Sequence, residues 1–167
     1  MMDYDEILEI VDEKNNVIGQ AARLECYKKG LLHRAINVFV FNSKEEVFLQ
    51  RRSKKKFGFP LFWDLSCSEH VKPGESFKKA AKRGLKEELG IQAEPEEIIP
   101  IHRIDNTDEK KRYLDSELMV TFKVIFDGKF KLDPKEVSDG KFFNIKEFPT
   151  PLTPWFKEDW KLLNQKR

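Results

Sequence analysis

Alternation of apolar and polar residues is the main pattern of this chain, and it predicts a protein built largely from β-strands. The clearest case is AINVFVF at residues 35–41, which turns through residues 42–45 into a second strand. At the N-terminus, two shorter strands joined by a turn at residues 14–16 form a predicted hairpin. The predicted strands cover residues 7–11, 17–20, 35–41, 47–51, 63–67, 98–104, 117–126, 129–132 and 141–145.

Two segments show the spacing and end signals of helices. Residues 77–89 form an amphipathic run that begins after Ser76, a good N-cap, and ends at Gly90, a good C-cap. Pro154 suits the first position of a C-terminal helix that reaches about residue 165. One helix between strands and a second after them predict an α/β fold. We expect an α/β/α sandwich with a central mixed sheet, an N-terminal hairpin and a C-terminal helix.

Composition narrows the class of protein without identifying its chemistry. A chain of 167 residues with 40% hydrophobic content is expected to form one domain over residues 1–167. Its 36% charged residues and net charge of +2 describe a mixed surface, so we expect no nucleic-acid partner. No apolar run approaches the ~20 residues that span a bilayer, so no membrane partner is expected. The free thiols of Cys26 and Cys67 predict a cytoplasmic protein, and the N-terminal hairpin offers a possible arm for a homodimer.

Residues 69–91, EHVKPGESFKKAAKRGLKEELGI, carry the strongest chemical signal. Glu75, Glu87 and Glu88 place carboxylates before and along the predicted helix, which is reached through a glycine turn. Carboxylates in this arrangement suit Mg²⁺ or Mn²⁺ that bridges the phosphate oxygens of a small diphosphate substrate. Like charges at this spacing need a cation or a basic neighbour, and Arg83 can be that neighbour.

The segment closely resembles the signature of the Nudix superfamily, G-x5-E-x7-R-E-U-x-E-E-x-G-U, where U is apolar. It departs from that signature twice, because Glu69 stands at the first glycine and Gly84 stands at a glutamate. The resemblance implies that Arg83 orients the glutamates and that the lost glutamate would be a metal ligand or a base. We hypothesise that Glu69 fills the space that Gly84 leaves open, in a reciprocal exchange. Two independent substitutions are the alternative.

Residues outside this segment resemble type I isopentenyl-diphosphate isomerases and their close hydrolase relatives in the Nudix superfamily, over most of residues 5–160. The likeness is carried by LLHRA before the first long strand, RRSKKK after the second, SCSEH before the glycine turn and TPWF near the end. The resemblance implies a buried divalent metal, whose ligand positions match Cys26, His33, His70, Asp115 and Glu117. Cys26 fits a small buried residue better than a ligand, and His33 taken alone fits a structural histidine.

The same resemblance implies substrate contacts. Arg52 and Lys56 match positions that bind a diphosphate, for which arginine offers planar bidentate contacts and lysine a point charge. Trp155 matches an aromatic residue that faces a carbocation-like intermediate, although it could equally pack into the core. The catalytic cysteine of the isomerases falls at Ser68, whose hydroxyl is a far weaker acid than a thiol. Cys67 would point to the opposite face of the strand.

Three functions are compatible with these residues. The first is hydrolysis of a diphosphate linkage in a small phosphorylated metabolite with bound Mg²⁺ or Mn²⁺, with Glu117 or Glu69 as the base. The second is isomerisation of isopentenyl diphosphate, with Glu117 as an acid or base and Ser68 at the cysteine position. The third is a catalytically degenerate domain that binds a phosphorylated ligand. The Glu-Glu-Leu-Gly ending of the motif favours the hydrolase.

Overall fold

The computed structural model describes residues 5–56, 58–108 and 113–165. In these residues, nine strands form one mixed sheet that is accompanied by three helices. The elements are β1 (Ile7–Val11), β2 (Val17–Ala22), α1 (Arg23–Lys29), β3 (His33–Phe41), β4 (Val47–Arg52), β5 (Trp63–Asp64), β6 (Cys67–His70), α2 (Phe77–Leu89), β7 (Glu96–Asp108), β8 (Tyr113–Ile125), β9 (Val137–Phe143) and α3 (Pro154–Gln165). None of these helices is both long and apolar enough to cross a membrane.

The strand β3 organises the sheet because it pairs with four others. It runs parallel to β8, with His33 opposite Glu117 at one end and Phe41 opposite Ile125 at the other. It runs antiparallel to β1, β4 and β6. The sheet is therefore mixed, as the sequence predicts, and the parallel pairing sets His33 beside Glu117.

Side chains alternate across β3 and fill two separate cores. Ile36 and Val38 pack with Leu85 of α2, whereas Phe39 packs with Phe156 of α3. The two helices thus cover opposite faces of the sheet, which confirms the predicted α/β/α sandwich.

The helix α2 begins and ends where the sequence predicts. The Ser76 hydroxyl accepts a hydrogen bond from the backbone N–H of Lys79 at 3.3 Å. Gly90 ends the helix with a φ of 68°, a left-handed conformation that glycine adopts without steric cost. These caps fix the length of the helix that carries the glutamates of the motif.

Two predictions about secondary structure were wrong, and one helix was missed. Residues 129–132 form no strand, because Lys131 and Asp133 donate their backbone N–H groups to the last carbonyls of α2. The strand predicted at 63–67 is split into β5, which pairs with β4, and β6, which pairs with β3. The short helix α1 was not predicted at all; its one clear signal is the left-handed Gly30 that ends it.

A buried polar group fastens α3 to the sheet. Asp159 is fully buried and accepts hydrogen bonds from Asn37 Nδ2 at 2.9 Å and Thr121 Oγ1 at 2.5 Å. His102 Nε2 lies 2.8 Å from Asp159 Oδ1, and His102 Nδ1 lies 2.9 Å from the carbonyl of Pro100. Both ring nitrogens face acceptors, so the ring is bound as an imidazolium. Burial opposes this charge, but the hydrogen bond to Asp159 and its charge raise the pKa of His102.

This pair predicts a pH-dependent stability. The pKa of His102 in the folded state lies above its ordinary value of about 6.5. His102 therefore makes its full contribution to the free energy of unfolding below about pH 6.5. The contribution is lost as the pH rises through the folded-state pKa. The difference in free energy of unfolding between the wild type and His102→Ala should therefore be larger at about pH 5.5 than at about pH 8.5. Urea denaturation at both values measures it, and a difference that grows with pH would contradict the assignment.

Candidate metal and diphosphate site

A cavity of about 740 Å³ opens where β6, β8, α2 and the start of α3 meet. It collects eleven of the thirteen side chains that the sequence predicts as site residues. They are Arg52, Lys56, Ser68, Glu69, His70, Arg83, Glu87, Glu88, Asp115, Glu117 and Trp155. Of the other two, His33 is fully buried and Glu75 is bonded to Arg83.

His33, His70 and Glu117 bring ligand atoms within 4.8 Å of one another. The register of the sheet causes this, because β6 and β8 both pair with β3, the strand that begins at His33. Glu117 Oε1 lies 3.7 Å from His33 Nε2 and 3.5 Å from His70 Nε2. Asp115 lies two residues before Glu117 on the same strand face, and its Oδ1 is 3.4 Å from His33 Nε2. Four of the predicted metal residues therefore converge.

The donor atoms of this cluster suit a cation. His33 Nδ1 lies 2.8 Å from the carbonyl of Leu31 and donates to it, so Nε2 is the ring nitrogen that is left to bind a cation. Among the residues that the structure describes, buried His33 Nε2 and Asp115 Oδ1 both lack a hydrogen-bond partner. Such groups are costly unless something satisfies them, and a divalent ion would satisfy both. A donor set of imidazole nitrogens and carboxylate oxygens suits Mn²⁺ or Zn²⁺ better than Mg²⁺, which prefers oxygen alone.

Burial sets the protonation of the cluster. Burial raises the pKa of both Glu117 and Asp115. The charge of Asp115 raises the pKa of Glu117 further. Burial also lowers the pKa of His70, which keeps that ring neutral. His70 Nδ1 lies 3.2 Å from Glu6 Oε2, and a carboxylate in this position supports a metal-binding histidine. Glu117 can thus hold a proton at a pH where an exposed carboxyl group would lose it.

Cys26 does not join this cluster among the described residues. It is fully buried, and burial raises the pKa of its thiol to about 11, so it is a neutral, packed side chain. Its neighbour Tyr27 reaches the cluster instead. The Tyr27 hydroxyl lies 3.3 Å from His70 Nε2 and accepts a hydrogen bond from Arg23 Nε at 2.7 Å. No sequence pattern marks Tyr27 as a site residue, because it lies on the unpredicted helix α1.

Arg83 forms hydrogen bonds with three glutamates of the motif. Its Nη1 lies 2.9 Å from Glu69 Oε2 and 3.2 Å from Glu87 Oε2. Its Nε and Nη2 each donate to Glu75 at 3.1 Å, and Nη2 also donates to the carbonyl of His70. These contacts agree with the orienting role that the resemblance implies, and a contact of Arg83 with substrate stays a prediction.

The two departures from the motif lie against each other. A Cβ atom on Gly84 would lie 2.8 Å from Glu69 Cγ and 2.6 Å from Cys67 Sγ. The Glu69 side chain therefore occupies the room beside Gly84, as the exchange hypothesis expects. Glu88 is buried nearby, where it accepts from Gln50 Nε2 at 2.6 Å. Burial raises the pKa of Glu88, and the charge of Glu69 adds to this effect.

Gly84→Ala is expected to lower the free energy of unfolding by up to about 2 kcal/mol. Alanine gains about 1 kcal/mol in helix propensity, but a methyl group forced into this filled space costs about 1–3 kcal/mol. Urea denaturation measures the net effect. Gly19→Ala is the matched control, because a Cβ atom there meets nothing within 4 Å. A Gly84→Ala variant more stable than the wild type would show that the space is not filled.

Asp64 fixes two of the predicted substrate residues at the cavity wall. It is fully buried and accepts from Arg52 Nη1 at 2.9 Å and from Trp155 Nε1 at 2.6 Å. The Arg52 guanidinium also lies 5.2 Å from the centre of the Trp155 ring. Lys56 forms an ion pair with Glu136 at the same cavity. Trp155 therefore belongs both to the core and to the cavity, so the two interpretations of this residue are compatible.

Ser68 and Cys67 lie on opposite faces of β6. Ser68 lines the cavity, whereas Cys67 is fully buried beside Gly84. Burial raises the pKa of the Cys67 thiol well above its ordinary value. Cys67 therefore does not replace a catalytic cysteine at position 68, as the sequence predicts.

Comparison with known families decides the family of the chain. The family described as NUDIX domain matches residues 31–165. The chain belongs to the Nudix family. The match includes α2, which we call the Nudix helix because it carries the segment that resembles the Nudix signature. The cluster around His33 contains residue types that bind metals.

Several named proteins are similar to this Nudix protein. Isopentenyl-diphosphate Delta-isomerase 1 of Photorhabdus laumondii is 35% identical over 165 residues, with 90% of each chain covered. Isopentenyl-diphosphate Delta-isomerase I of Clarkia breweri is 33% identical, with 94% of this chain and 65% of that one covered.

Solved structures confirm the Nudix fold. A Deinococcus radiodurans protein superposes with a TM-score of 0.69 at 22% identity, covering 96% of this chain and 98% of that one. The MutT protein of Methanosarcina mazei Go1 has a TM-score of 0.68 at 21% identity, covering 81% of this chain and 94% of that one. At these identities the likeness shows the fold alone.

Proposed function

We propose that this Nudix protein is a divalent-metal-dependent enzyme that moves the double bond of a short prenyl diphosphate, as its relatives named isopentenyl-diphosphate isomerases indicate. The observation that carries the proposal is the cluster of His33, His70 and Glu117, in which the buried Nε2 of His33 has no hydrogen-bond partner among the described residues. The glutamates of the Nudix helix alone could serve hydrolysis. The separate cluster of two imidazoles with Glu117 favours a reaction in which Glu117 takes part.

His33, His70 and Glu117 would hold the metal, with Asp115 beside them. When bound, the cation would offset the negative charge of the buried Asp115 carboxylate, and that of Glu117 whenever Glu117 has given up its proton. The protein contributes the preformed geometry, because strand pairing and the hydrogen bonds of His33 and His70 fix these donors before any metal arrives.

Glu117 carries the proton transfers in this proposal. Its carboxyl group gives a proton to the terminal carbon of the double bond, which leaves a positive charge on the branched carbon. The resulting carboxylate then removes a proton from the neighbouring carbon, so the double bond moves and Glu117 regains its proton. The Trp155 ring offers a π face to the positive charge, and Arg52 and Lys56 hold the diphosphate. Ser68 is too weak an acid to share this work.

Deuterium uptake tests the proposal. Isopentenyl diphosphate is incubated with the protein and Mn²⁺ in heavy water, and NMR follows deuterium entering its methyl and methylene positions. The proposal expects time-dependent uptake that needs both the protein and Mn²⁺. Release of phosphate without any uptake would contradict it.

Hydrolysis of a diphosphate linkage is the second candidate, and one observation favours it. Glu69 lies in the space beside Gly84 and next to Glu88, which supports the hypothesis that Glu69 supplies the carboxylate missing from the Nudix helix. If the protein is a hydrolase, Glu69→Ala should lower phosphate release from prenyl, sugar or nucleoside diphosphates by at least about 10²-fold. The exposed Glu97, changed to alanine, is the matched control. If phosphate release by Glu69→Ala is unchanged, Glu69 does not replace the catalytic glutamate that is missing at position 84.

A further inference from the structure

Tyr113 has a contact that no family resemblance assigns. It lies two residues before Asp115 on β8, so both side chains are on the same face of the strand. The Tyr113 hydroxyl donates to Asp115 Oδ2 at 2.6 Å, and both residues are about 95% buried. The other oxygen, Oδ1, has no hydrogen-bond partner among the described residues and lies 3.4 Å from His33 Nε2. The phenol thus decides which oxygen of Asp115 faces His33.

The phenol is itself held from two sides. Its ring packs against Tyr27, with ring centroids 4.8 Å apart, and against Phe59, with centroids 6.4 Å apart. A Cβ atom on Gly58 would lie 3.3 Å from the Tyr113 hydroxyl, so only a residue without a side chain fits there comfortably. The carbonyl of Gly58 also accepts two hydrogen bonds from Arg52, at 3.0 and 2.9 Å. Gly58 and Phe59, in the loop between β4 and β5, therefore lie against Tyr113. Gly58 also fixes the position of Arg52, which is predicted to bind the diphosphate.

We infer that Tyr113 is a positioning residue that makes Asp115 a one-oxygen ligand of the cation held by His33, His70 and Glu117. Without the phenol, the Asp115 carboxylate would be free to rotate and would lose the fixed direction of Oδ1. Ligands that are held in this way by an outer partner typically lose about 10–100-fold in metal affinity when the partner is removed. This inference rests on the metal site of the proposed function.

Binding of Co²⁺ tests the inference without any substrate. Isothermal titration gives the affinity, and the visible absorption of bound Co²⁺ reports the ligand geometry. Tyr113→Phe keeps the ring and removes only the hydroxyl, so it should weaken binding about 10–100-fold and alter the spectrum. Gly58→Ala leaves Tyr113 and Asp115 unchanged but crowds the hydroxyl, so it should weaken binding in the same direction. It also keeps the test valid if Tyr113→Phe does not fold.

Two further variants separate the role of Tyr113 from the existence of the metal site. Asp105→Asn removes a carboxylate from the facing strand, where it bonds Ser116 and Arg103, and should leave Co²⁺ binding unchanged. Wild-type affinity and spectrum in folded Tyr113→Phe, or in Gly58→Ala if the first variant is unfolded, would overturn the inference while the metal site stands. Co²⁺ binding that is equal in the wild type and in His33→Ala would instead overturn the metal site of the proposed function.

Discussion

Glu117→Gln is expected to reduce deuterium uptake into isopentenyl diphosphate by about 10²–10⁴-fold, the usual contribution of a general acid or base. The amide has nearly the same shape as the carboxyl group, but it neither donates nor accepts the proton that the reaction moves. The amide would also replace the carboxyl group beside His33 and His70, whose Nε2 atoms lie 3.7 and 3.5 Å from Oε1. The rate of uptake measured by NMR in heavy water, with Mn²⁺ in excess, gives the size of the loss.

Glu97→Gln is the matched control for this change, since it makes the same substitution at an exposed position of β7. It should turn over at the wild-type rate. Thermal unfolding of both variants establishes that they are folded. A Glu117→Gln protein with wild-type uptake would show that another group moves the proton.

Asp64→Asn is expected to lower the free energy of unfolding by about 3–5 kcal/mol, the range for breaking a buried ion pair by removing one partner. Asp64 is fully buried and accepts from Arg52, Thr153, Trp155 and the backbone N–H of Leu65. An asparagine offers only one oxygen to these donors, and its NH₂ group would face one of them. Urea denaturation measures the change.

The same variant should also weaken substrate binding, because Asp64 holds Arg52 and Trp155 at the cavity. We expect a raised KM for the diphosphate in the fraction that folds. Asp139→Asn, at an exposed position, is the control and should change neither quantity. An Asp64→Asn protein as stable as the wild type would show that the buried group is not an anchor.

The parts of the fold that the sequence predicts are those with strong local signals. The helix α2 has a serine cap, a glycine end and an amphipathic run, and its predicted bounds are those observed. The segment at residues 129–132 alternates like a strand, but its backbone donors satisfy the end of α2, a contact that local pattern does not reveal. The short helix α1 has no side-chain N-cap, and it packs against β8, as short helices generally need tertiary packing to be stable.

In the candidate site, too, the sequence predicts some residues and not others. Family resemblance predicts His33, His70, Asp115 and Glu117, and strand pairing brings them together. Tyr113 was missed although its spacing from Asp115 places both on one strand face, a relation that could have drawn attention to it. Asp64 and Tyr27 act through partners far away in sequence, so no local pattern marks them.

The preference between functions also changes with the structure. From the sequence, the Glu-Glu-Leu-Gly ending of the motif favours a hydrolase. In the structure, Glu87 is largely exposed and bonded to Arg83, whereas the cluster around His33 contains two buried atoms, His33 Nε2 and Asp115 Oδ1, that lack a hydrogen-bond partner among the described residues. The similar proteins named as isomerases agree with that shift.

Anomalous diffraction from crystals soaked in Mn²⁺ tests the central claim most directly. We predict an ion bound by His33, His70 and Glu117, with Asp115 beside it. An ion found only at the glutamates of the Nudix helix, with none between the two histidines, would contradict the account and favour the hydrolase.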